Sequence, residues 1–463
     1  MRLFNTLTRE IESLTPLEQG HFRIYSCGPT VYHYVHIGNL RTFLWCDLLC
    51  RYLEFKGHRV TQVMNLTDVD DRIIKNAHDQ SINLDTYTAP YIDAFFQDID
   101  TLRIRRATHY PRATRHIPEM VALVQKLTGN AHTYQSDGST YFRISSLASY
   151  GKLARIEVTE SADFSRVDSD TDDKQDARDF VLWKARKEGE AFWTTPLGEG
   201  RPGWHLECSA MAMKYLGQTF DLHTGAVDLI FPHHENEIAQ SEGATGQPFV
   251  RHWAHGEHLI VEDRKMSKSA GNFFTLRDLL EQGFTALQIR YALLSVPYRT
   301  KLNFTTKTLE DASHSLERLD RFLLRLGEVS ASTSGFGTAF GRRLVTEFLK
   351  SFEEAMDEDL NTAGALGALF TLIRDANTAI DNHELTADDA MRIAAAITRA
   401  DQVLDIANHQ SQTLEAEVEK MINARLAARA QRDFAGSDRI RDELLSRGIL
   451  LEDTPTGTRW RRK

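Results

Sequence analysis

The chain opens on a strand–helix–strand pattern. HFRIYSCG at 21–28 reads as a strand ending at a glycine. RTFLWCDLLCRYLEFKG at 41–57 has the broad apolar face of a helix closed by Gly57, and the β-branched, half-alternating HRVTQVMNL at 58–66 reads as the next strand. This is a βαβ unit, and it predicts an α/β fold with a doubly wound, Rossmann-like parallel sheet. Ligands of such sheets bind beyond the carboxyl ends of the strands, where HIGN at 36–39 occupies the loop and first helical turn.

Residues 110–200 break the pattern. They hold helix-like IPEMVALVQKL, strand-like TYFRI and an acidic run over 163–179, read as the solvated edge of an insertion. From Pro202 the nucleotide-fold pattern resumes, with short apolar runs in TFDLHTGAVDLIF, a helix in HHENEIAQSEGATG and a strand in RHWAHGEHLIV. The basic, serine-rich EDRKMSKSAGN that follows is expected to be a mobile surface loop. Beyond residue 310, LERLDRFLLRLGEV, a flexible SASTSGFGT linker and three further amphipathic segments predict a bundle of antiparallel helices. Residues 411–448 read as helical and increasingly basic, and ILLEDTPTGTRWRRK as a hairpin.

Composition narrows the class. A chain of 463 residues exceeds one ordinary core, so roughly two to four domains are expected. A net charge of −10 argues against a non-specific nucleic-acid binder but leaves room for a local basic surface. MRLFNTLTREIESL lacks the layout of a secretory signal, and no run reaches the eighteen or so apolar residues of a membrane span. The four cysteines are too few for a disulfide scaffold and fit a reducing interior; Cys46 and Cys50 read as buried thiols of the first helix.

Four residues offer metal-ligand chemistry. Cys27 stands at a strand end, Cys208 follows PGWHLE where the chain enters a helix, and His233 and Glu237 are spaced i,i+4 to share one helix face. Thiolates favour zinc over magnesium or calcium. His205, His223 and His234 compete as ligands or serve as satisfied histidines, and spacing leaves that choice open. On the phosphate side, His36 donates in either protonation state, Gly38 permits close backbone approach and Asn39 adds a donor at a helix N-terminus. Lys265 and Lys268 of KMSKS offer two movable ammonium groups, suited to charge that builds on an α-phosphate and its pyrophosphate leaving group.

Taken in order with SCGPTVY (26–32), NLTDVDD (65–71), DFVLWK (179–184), GRPGWHLECSAM (200–211), FPHHENEIAQSEG (231–243), RKMSKSAGN (264–272), EEAMDEDLNT (353–362) and LEDTPTGTRW (451–460), these motifs resemble the cysteinyl-tRNA synthetases of class I over nearly the whole chain. The resemblance implies ATP-dependent attachment of L-cysteine to tRNA(Cys) through a cysteinyl-adenylate. It implies one zinc per chain on Cys27, Cys208, His233 and Glu237, with magnesium travelling on the ATP phosphates. It assigns His36, Gly38 and Asn39 to ATP and Lys265 and Lys268 to the catalytic loop. Thr67 and Trp204 are expected to line the cysteine pocket, with a buried core role the alternative for Trp204. Asp228 is expected to meet the substrate ammonium, with a helix or turn cap as the alternative.

The implied organisation is a catalytic domain split over 1–110 and 201–260, a connective insertion at 111–200 and a KMSKS and stem-contact region at 261–310. A helical bundle at 311–410 and an anticodon-binding region at 411–463 follow. In that last region Arg425, Arg429, Arg432, Arg439, Arg441, Arg447 and the terminal Arg459, Trp460, Arg461, Arg462 and Lys463 would meet RNA, unless Trp460 is hairpin core. A cytoplasmic monomer without membrane attachment is expected. Two departures stand out: position 39 is asparagine where the family most often has histidine, and HTGAV places Thr224 and Ala226 where glycine is common, each adding a side chain near the expected amino-acid and adenine pockets. Two rivals are a ligase joining cysteine to an amino-sugar, which lacks the tail at 411–463, and a non-catalytic tRNA-binding paralogue, disfavoured by the intact KMSKS and donor set.

Overall fold

The computed structural model describes residues 1–156, 174–266, 271–333, 335–408, 420–429, 433–446, 449–454 and 457–462. The chain divides into two units, Met1–Asp405 and Ile406–Lys463.

A four-stranded sheet positions the site. Its order is Val250–Gly256, Phe220–Ala226, His21–Ser26, Arg59–Met64, and every neighbouring pair is parallel. From His21–Ser26 the chain passes through the helix Ile37–Phe55 to Arg59–Met64 on one side, while Phe220–Ala226 pairs on the other (Leu222 opposite Ile24). The strand order therefore reverses between His21–Ser26 and Phe220–Ala226, and the crevice beyond their carboxyl ends is the topological switch point. The helix Ile37–Phe55 starts four residues before the apolar run that predicts it, because His36 caps it.

The insertion is a helix, Ile117–Gly129, followed by a five-stranded antiparallel sheet running Thr133–Ser136, Ser139–Phe142, Phe180–Ala185, Gly198–Pro202, Trp193–Thr195. Asp163, Asp168, Asp170, Asp172 and Asp173 of the acidic run lie outside the described residues. Asp179, read as part of a solvated edge, is instead buried and accepts the Ile144 N–H at 2.8 Å. Helices Thr306–Ser332, Ala339–Asp357, Thr362–Asp381 and Ala387–Leu404 make the bundle. The first of them absorbs the start of the segment read as a linker and ends at Thr333, whose N–H (3.1 Å) and hydroxyl (2.8 Å) both donate to the Val329 carbonyl.

In the second unit a helix at 420–429, the helix Phe434–Ser446 and the hairpin Ile449–Thr454 with Gly457–Arg462 enclose a small core of Ile422, Leu444 and Ile449. Arg429, Arg439 and Arg441 are exposed, whereas Arg425 is buried and presents no cation to solvent. Arg432, Arg447, Lys463 and the side chains of Arg459, Trp460, Arg461 and Arg462 lie outside the described residues. No helix among the described residues is long and apolar enough to cross a membrane.

Candidate active site

The loops leaving the two central strands are locked together at Gly28. A Cβ there would stand 1.8 Å from the Asn65 carbonyl oxygen, so only glycine allows this approach. The Gly28 N–H donates to Asn65 Oδ1 (2.8 Å), the Thr67 N–H to the Pro29 carbonyl (3.1 Å) and the Val31 N–H to the Thr67 carbonyl (3.0 Å). The seam sets Cys27 and Thr67 on one wall of a cavity of about 290 Å³ at the switch point.

HIGN forms the next wall. His36 is the N-cap of its helix: its Nδ1 accepts the Asn39 N–H (3.2 Å) while Asn39 Oδ1 accepts the His36 N–H (3.2 Å), a reciprocal capping box. Burial lowers the His36 pKa to about 4 although Asp228 pulls it upward, so the ring is neutral at physiological pH. With Nδ1 accepting, its proton sits on Nε2, which leaves that nitrogen as the donor. Asn39 spends its carbonyl on the cap and keeps its amide hydrogens. Gly38 lies under the ring, where a Cβ would come within 3.0 Å of His36 Cε1 and 3.3 Å of Met266 Cε.

The chain on both sides of KMSKS reaches this wall. Glu262 and Asp263 turn at φ 47° and 60°, and Arg264–Lys265 pairs back on Leu259–Val261 as a tight hairpin. Lys265 is exposed; Lys268 lies outside the described residues. Downstream, the Ile37 N–H donates to the Phe274 carbonyl (3.0 Å) and Phe273 meets the His36 ring edge-on at 5.3 Å. Met266 thus lines the same cavity as His36, Gly38 and Asn39, more than 200 residues earlier in the chain.

At the other end of the cavity the donor atoms of Cys27, Cys208, His233 and Glu237 all lie within 4.8 Å of one another, and all four residues are buried. His233 lies in a wide turn, Ile230–His234, and Glu237 lies in the first turn of Glu235–Thr245; His233 Nε2 and Glu237 Oε1 are 3.0 Å apart. Burial works against the Glu237 charge, yet His223 and His233 hold its pKa at about 2. A hydrogen bond with Cys27 brings the Cys208 thiol down to about 6 despite burial, while burial pushes Cys27 well up. Burial likewise opposes a charge on His233, but Glu237 and Cys208 raise it to about 10. A fully buried carboxylate whose ion-pair partners among the described residues are only histidines, set beside an acidic thiol, is a donor set that fits a soft divalent cation.

A second set, Cys27, His223, His234 and Glu237, is equally compact. Its histidines face the same atoms: His234 Nε2 lies 3.2 Å from Cys27 Sγ and His223 Nε2 2.9 Å from Glu237 Oε2, while His234 Nδ1 meets His255 Nε2 at 2.7 Å and His223 stacks on Trp253. Neither lines the cavity, whereas Cys27, Cys208 and His233 do. His205 sits behind, its Nδ1 2.9 Å from His233 Nδ1.

Trp204 is 41% exposed and lies against His233 (ring centroids 4.6 Å), which removes the buried-core alternative. Asp228 lines the cavity, and no hydrogen bond or ion pair among the described residues engages its carboxylate, so it is not a turn cap. Thr224 does not face the cavity: strand alternation turns it to the opposite side from His223, where its hydroxyl donates to Ser26 Oγ (2.8 Å) and accepts from Cys46 Sγ (3.3 Å). Ala226 does line the cavity. Tyr32, His33, Tyr34, Glu257, His258 and Phe273 also line it, although none was singled out from the sequence. Glu257 and His258 follow the carboxyl end of Val250–Gly256, so the strand-end rule applied to every strand would have found them.

A parallel sheet with its reactive crevice at the switch point, an inserted domain and a helical bundle is the architecture of class I aminoacyl-tRNA synthetases. A family model described as the class I (C) catalytic domain of tRNA synthetases matches residues 13–314, a DALR domain model 351–408 and a cysteinyl-tRNA ligase anticodon binding domain model 411–461. The cysteine–tRNA ligase of Solibacter usitatus is 48% identical over the full length of both chains, and that of Brachyspira hyodysenteriae 46% identical over 99% of each. The chain belongs to the cysteine–tRNA ligase family. In fold it is similar to a methionyl-tRNA synthetase of Mycobacterium tuberculosis in complex with methionyl-adenylate (TM-score 0.62, 15% identity, 84% of this chain and 90% of that one). It is likewise similar to a putative arginyl-tRNA synthetase of Campylobacter jejuni (TM-score 0.60, 14% identity, 84% and 93%).

Proposed function

We propose that this chain joins L-cysteine to tRNA(Cys) in two steps, forming cysteinyl-adenylate from cysteine and ATP and then passing the cysteinyl group to the terminal ribose hydroxyl of the tRNA. The observation that carries the reading is a single cavity lined by His36 and Asn39 and also by Cys27, Cys208 and His233, whose donor atoms lie within 4.8 Å of one another and of the buried Glu237 carboxylate. In this reading the four donors hold one zinc ion. Bound there, zinc supplies a soft Lewis acid that lowers a thiol pKa and takes a thiolate in preference to a hydroxyl.

The chain's own residues do the rest. His36 donates from Nε2 and Asn39 from its amide to the α-phosphate, both held by the capping box rather than by substrate, which is preorganisation of the kind that lowers a barrier. Lys265 and Lys268 neutralise the departing pyrophosphate, and magnesium enters on the ATP phosphates. Asp228 takes the substrate ammonium; Thr67 and Trp204 shape the space around its side chain. Selection between cysteine and serine then rests on one atom's affinity for a metal rather than on shape, a discrimination a hydrogen-bonding pocket makes poorly.

This reading takes 1–110 with 201–260 as the catalytic domain, 111–200 as the insertion, 261–310 as the catalytic-loop and stem-contact region, 311–410 as the bundle and 411–463 as the anticodon-binding region. It takes the chain to act as a cytoplasmic monomer. Exchange of labelled pyrophosphate into ATP tests it: exchange should require cysteine and fail with serine, and equal exchange with both would reject it. Charging of tRNA(Cys) rather than of an amino-sugar separates the two ligase readings.

A further inference from the structure

The helix that His36 caps carries, within its first turns, two side chains that hold a different part of the cavity lining. Arg41 and Trp45 are spaced i,i+4 and share one helix face. Arg41 is 4% exposed and spends four N–H groups on backbone carbonyls. Its Nη1 donates to Glu257 (2.8 Å) and His258 (3.1 Å), and its Nη2 to Pro297 (3.2 Å) and Thr300 (2.6 Å). Burial lowers its pKa to about 10 although Glu257 pulls it upward, so it stays charged at physiological pH. Burying a cation is costly, and only the arginine fork satisfies four acceptors at once. Trp45 stacks on Tyr298 (ring centroids 4.7 Å), whose carbonyl accepts the Glu257 N–H (2.8 Å). A Cβ on Gly256 would stand 2.4 Å from Trp45 Nε1. Residues 256–258 are thus held between this helix face and the segment 297–300.

Glu257, His258 and Leu259 line the cavity together with His36 and Asn39, whereas Arg41 does not. In the proposed reaction the α-phosphate lies at His36 and Asn39 and the amino acid at the metal donors, which leaves the nucleoside to the remaining lining. Covalent bonds fix the distance from the α-phosphate to the nucleoside. The spacing between the two parts of the lining therefore has to match it, and misplacement by about 1 Å is worth about a hundredfold. One helix sets that spacing, because it presents His36 and Asn39 at its start and grips Glu257 and His258 through Arg41. We infer that Arg41 is a positioning residue for ATP: by clamping the Glu257 and His258 carbonyls beside those of Pro297 and Thr300, it sets where the nucleoside-facing lining stands relative to His36 and Asn39. The inference rests on the proposed adenylate-forming function and gives a role in it to a side chain that touches no substrate.

Arg41→Lys keeps the charge but cannot serve four acceptors. In cysteine-dependent pyrophosphate exchange it should raise the KM for ATP by about tenfold, the size of one charge-assisted contact, with the KM for cysteine and the zinc content within about twofold of native. Arg41→Gln should raise the KM for ATP further. Direct binding separates position from charge: adenosine should bind Arg41→Lys about tenfold more weakly, and inorganic tripolyphosphate as it binds the native chain. Gly256→Ala would push the same residues from the Trp45 side and should show the same selective rise; it carries the test if urea titration shows that neither Arg41 variant folds. A parallel rise in the KM for cysteine would mean a general structural role. Weaker tripolyphosphate binding with unchanged adenosine binding would mean that Arg41 acts on phosphates through its charge, and an unchanged KM for ATP would mean that the clamp sets nothing. Each of these results overturns the assignment. If the native chain does not exchange pyrophosphate at all, the proposed function itself has failed, which is a different outcome, and adenosine binding still judges the clamp.

Discussion

Gly28→Ala should disable the site without disturbing the rest of the sheet. The added methyl carbon would lie 1.8 Å from the Asn65 carbonyl oxygen and 2.9 Å from Met64 Cγ. Ordinary contact needs more than 3 Å, so the loops after His21–Ser26 and Arg59–Met64 would have to part by roughly 1.5 Å. Three hydrogen bonds cross that seam, from Gly28 to Asn65, from Thr67 to Pro29 and from Val31 to Thr67. At about 1 kcal/mol each their loss costs about 3 kcal/mol, concentrated in these loops. Cys27 adjoins the seam and would be carried away from partners now within 4.8 Å. Misplacement on this scale lowers a reaction rate by about a hundredfold. The assays are zinc content after dialysis, cysteine-dependent pyrophosphate exchange and the urea unfolding midpoint. A variant with full zinc and exchange within about twofold of the native rate would refute the claim that this backbone contact positions the site.

Three further outcomes follow from the same geometry. Because the folded pKa of His36, about 4, lies below the ordinary 6.5, its neutral form contributes stability present above pH 6.5 and lost as pH falls toward 4. The loss amounts to at most about 3 kcal/mol, and His36→Gln should flatten the urea midpoint across that window. Asn39→Asp keeps the acceptor for the His36 N–H but loses the amide donor, so it should melt like the native chain while slowing exchange by at least about tenfold; Asn39→Ala should also lose about 1 kcal/mol of stability. Cys208→Ser should loosen zinc and raise the apparent KM for cysteine, and unchanged zinc content with unchanged cysteine use would show that Cys208 is not a ligand.

What could be read from the chain was local. The alternation and apolar faces of 21–66 define the βαβ unit because strand and helix periods depend on neighbouring residues. The pattern places HIGN in the loop and first helical turn, where the helix does begin, but the capping role of His36 is not legible, since histidine is not among the usual capping residues. The i,i+4 spacing of His233 and Glu237 corresponds to a real contact even though His233 lies in the turn before the helix. Non-local features stayed hidden. The pairing of Leu222 with Ile24, which creates the switch point, joins segments nearly 200 residues apart, and no pattern in either one specifies the other. Thr224 is the opposite case: strand alternation, followed from His223, already sets its hydroxyl on the other face.

X-ray absorption at the zinc edge, recorded on the purified chain with and without L-cysteine, tests the central claim most directly. Cys27 and Cys208 should give two sulfur neighbours in the free protein, and cysteine should add a third while serine adds none. A sulfur count that stays the same when cysteine binds would contradict recognition of the substrate through its thiolate.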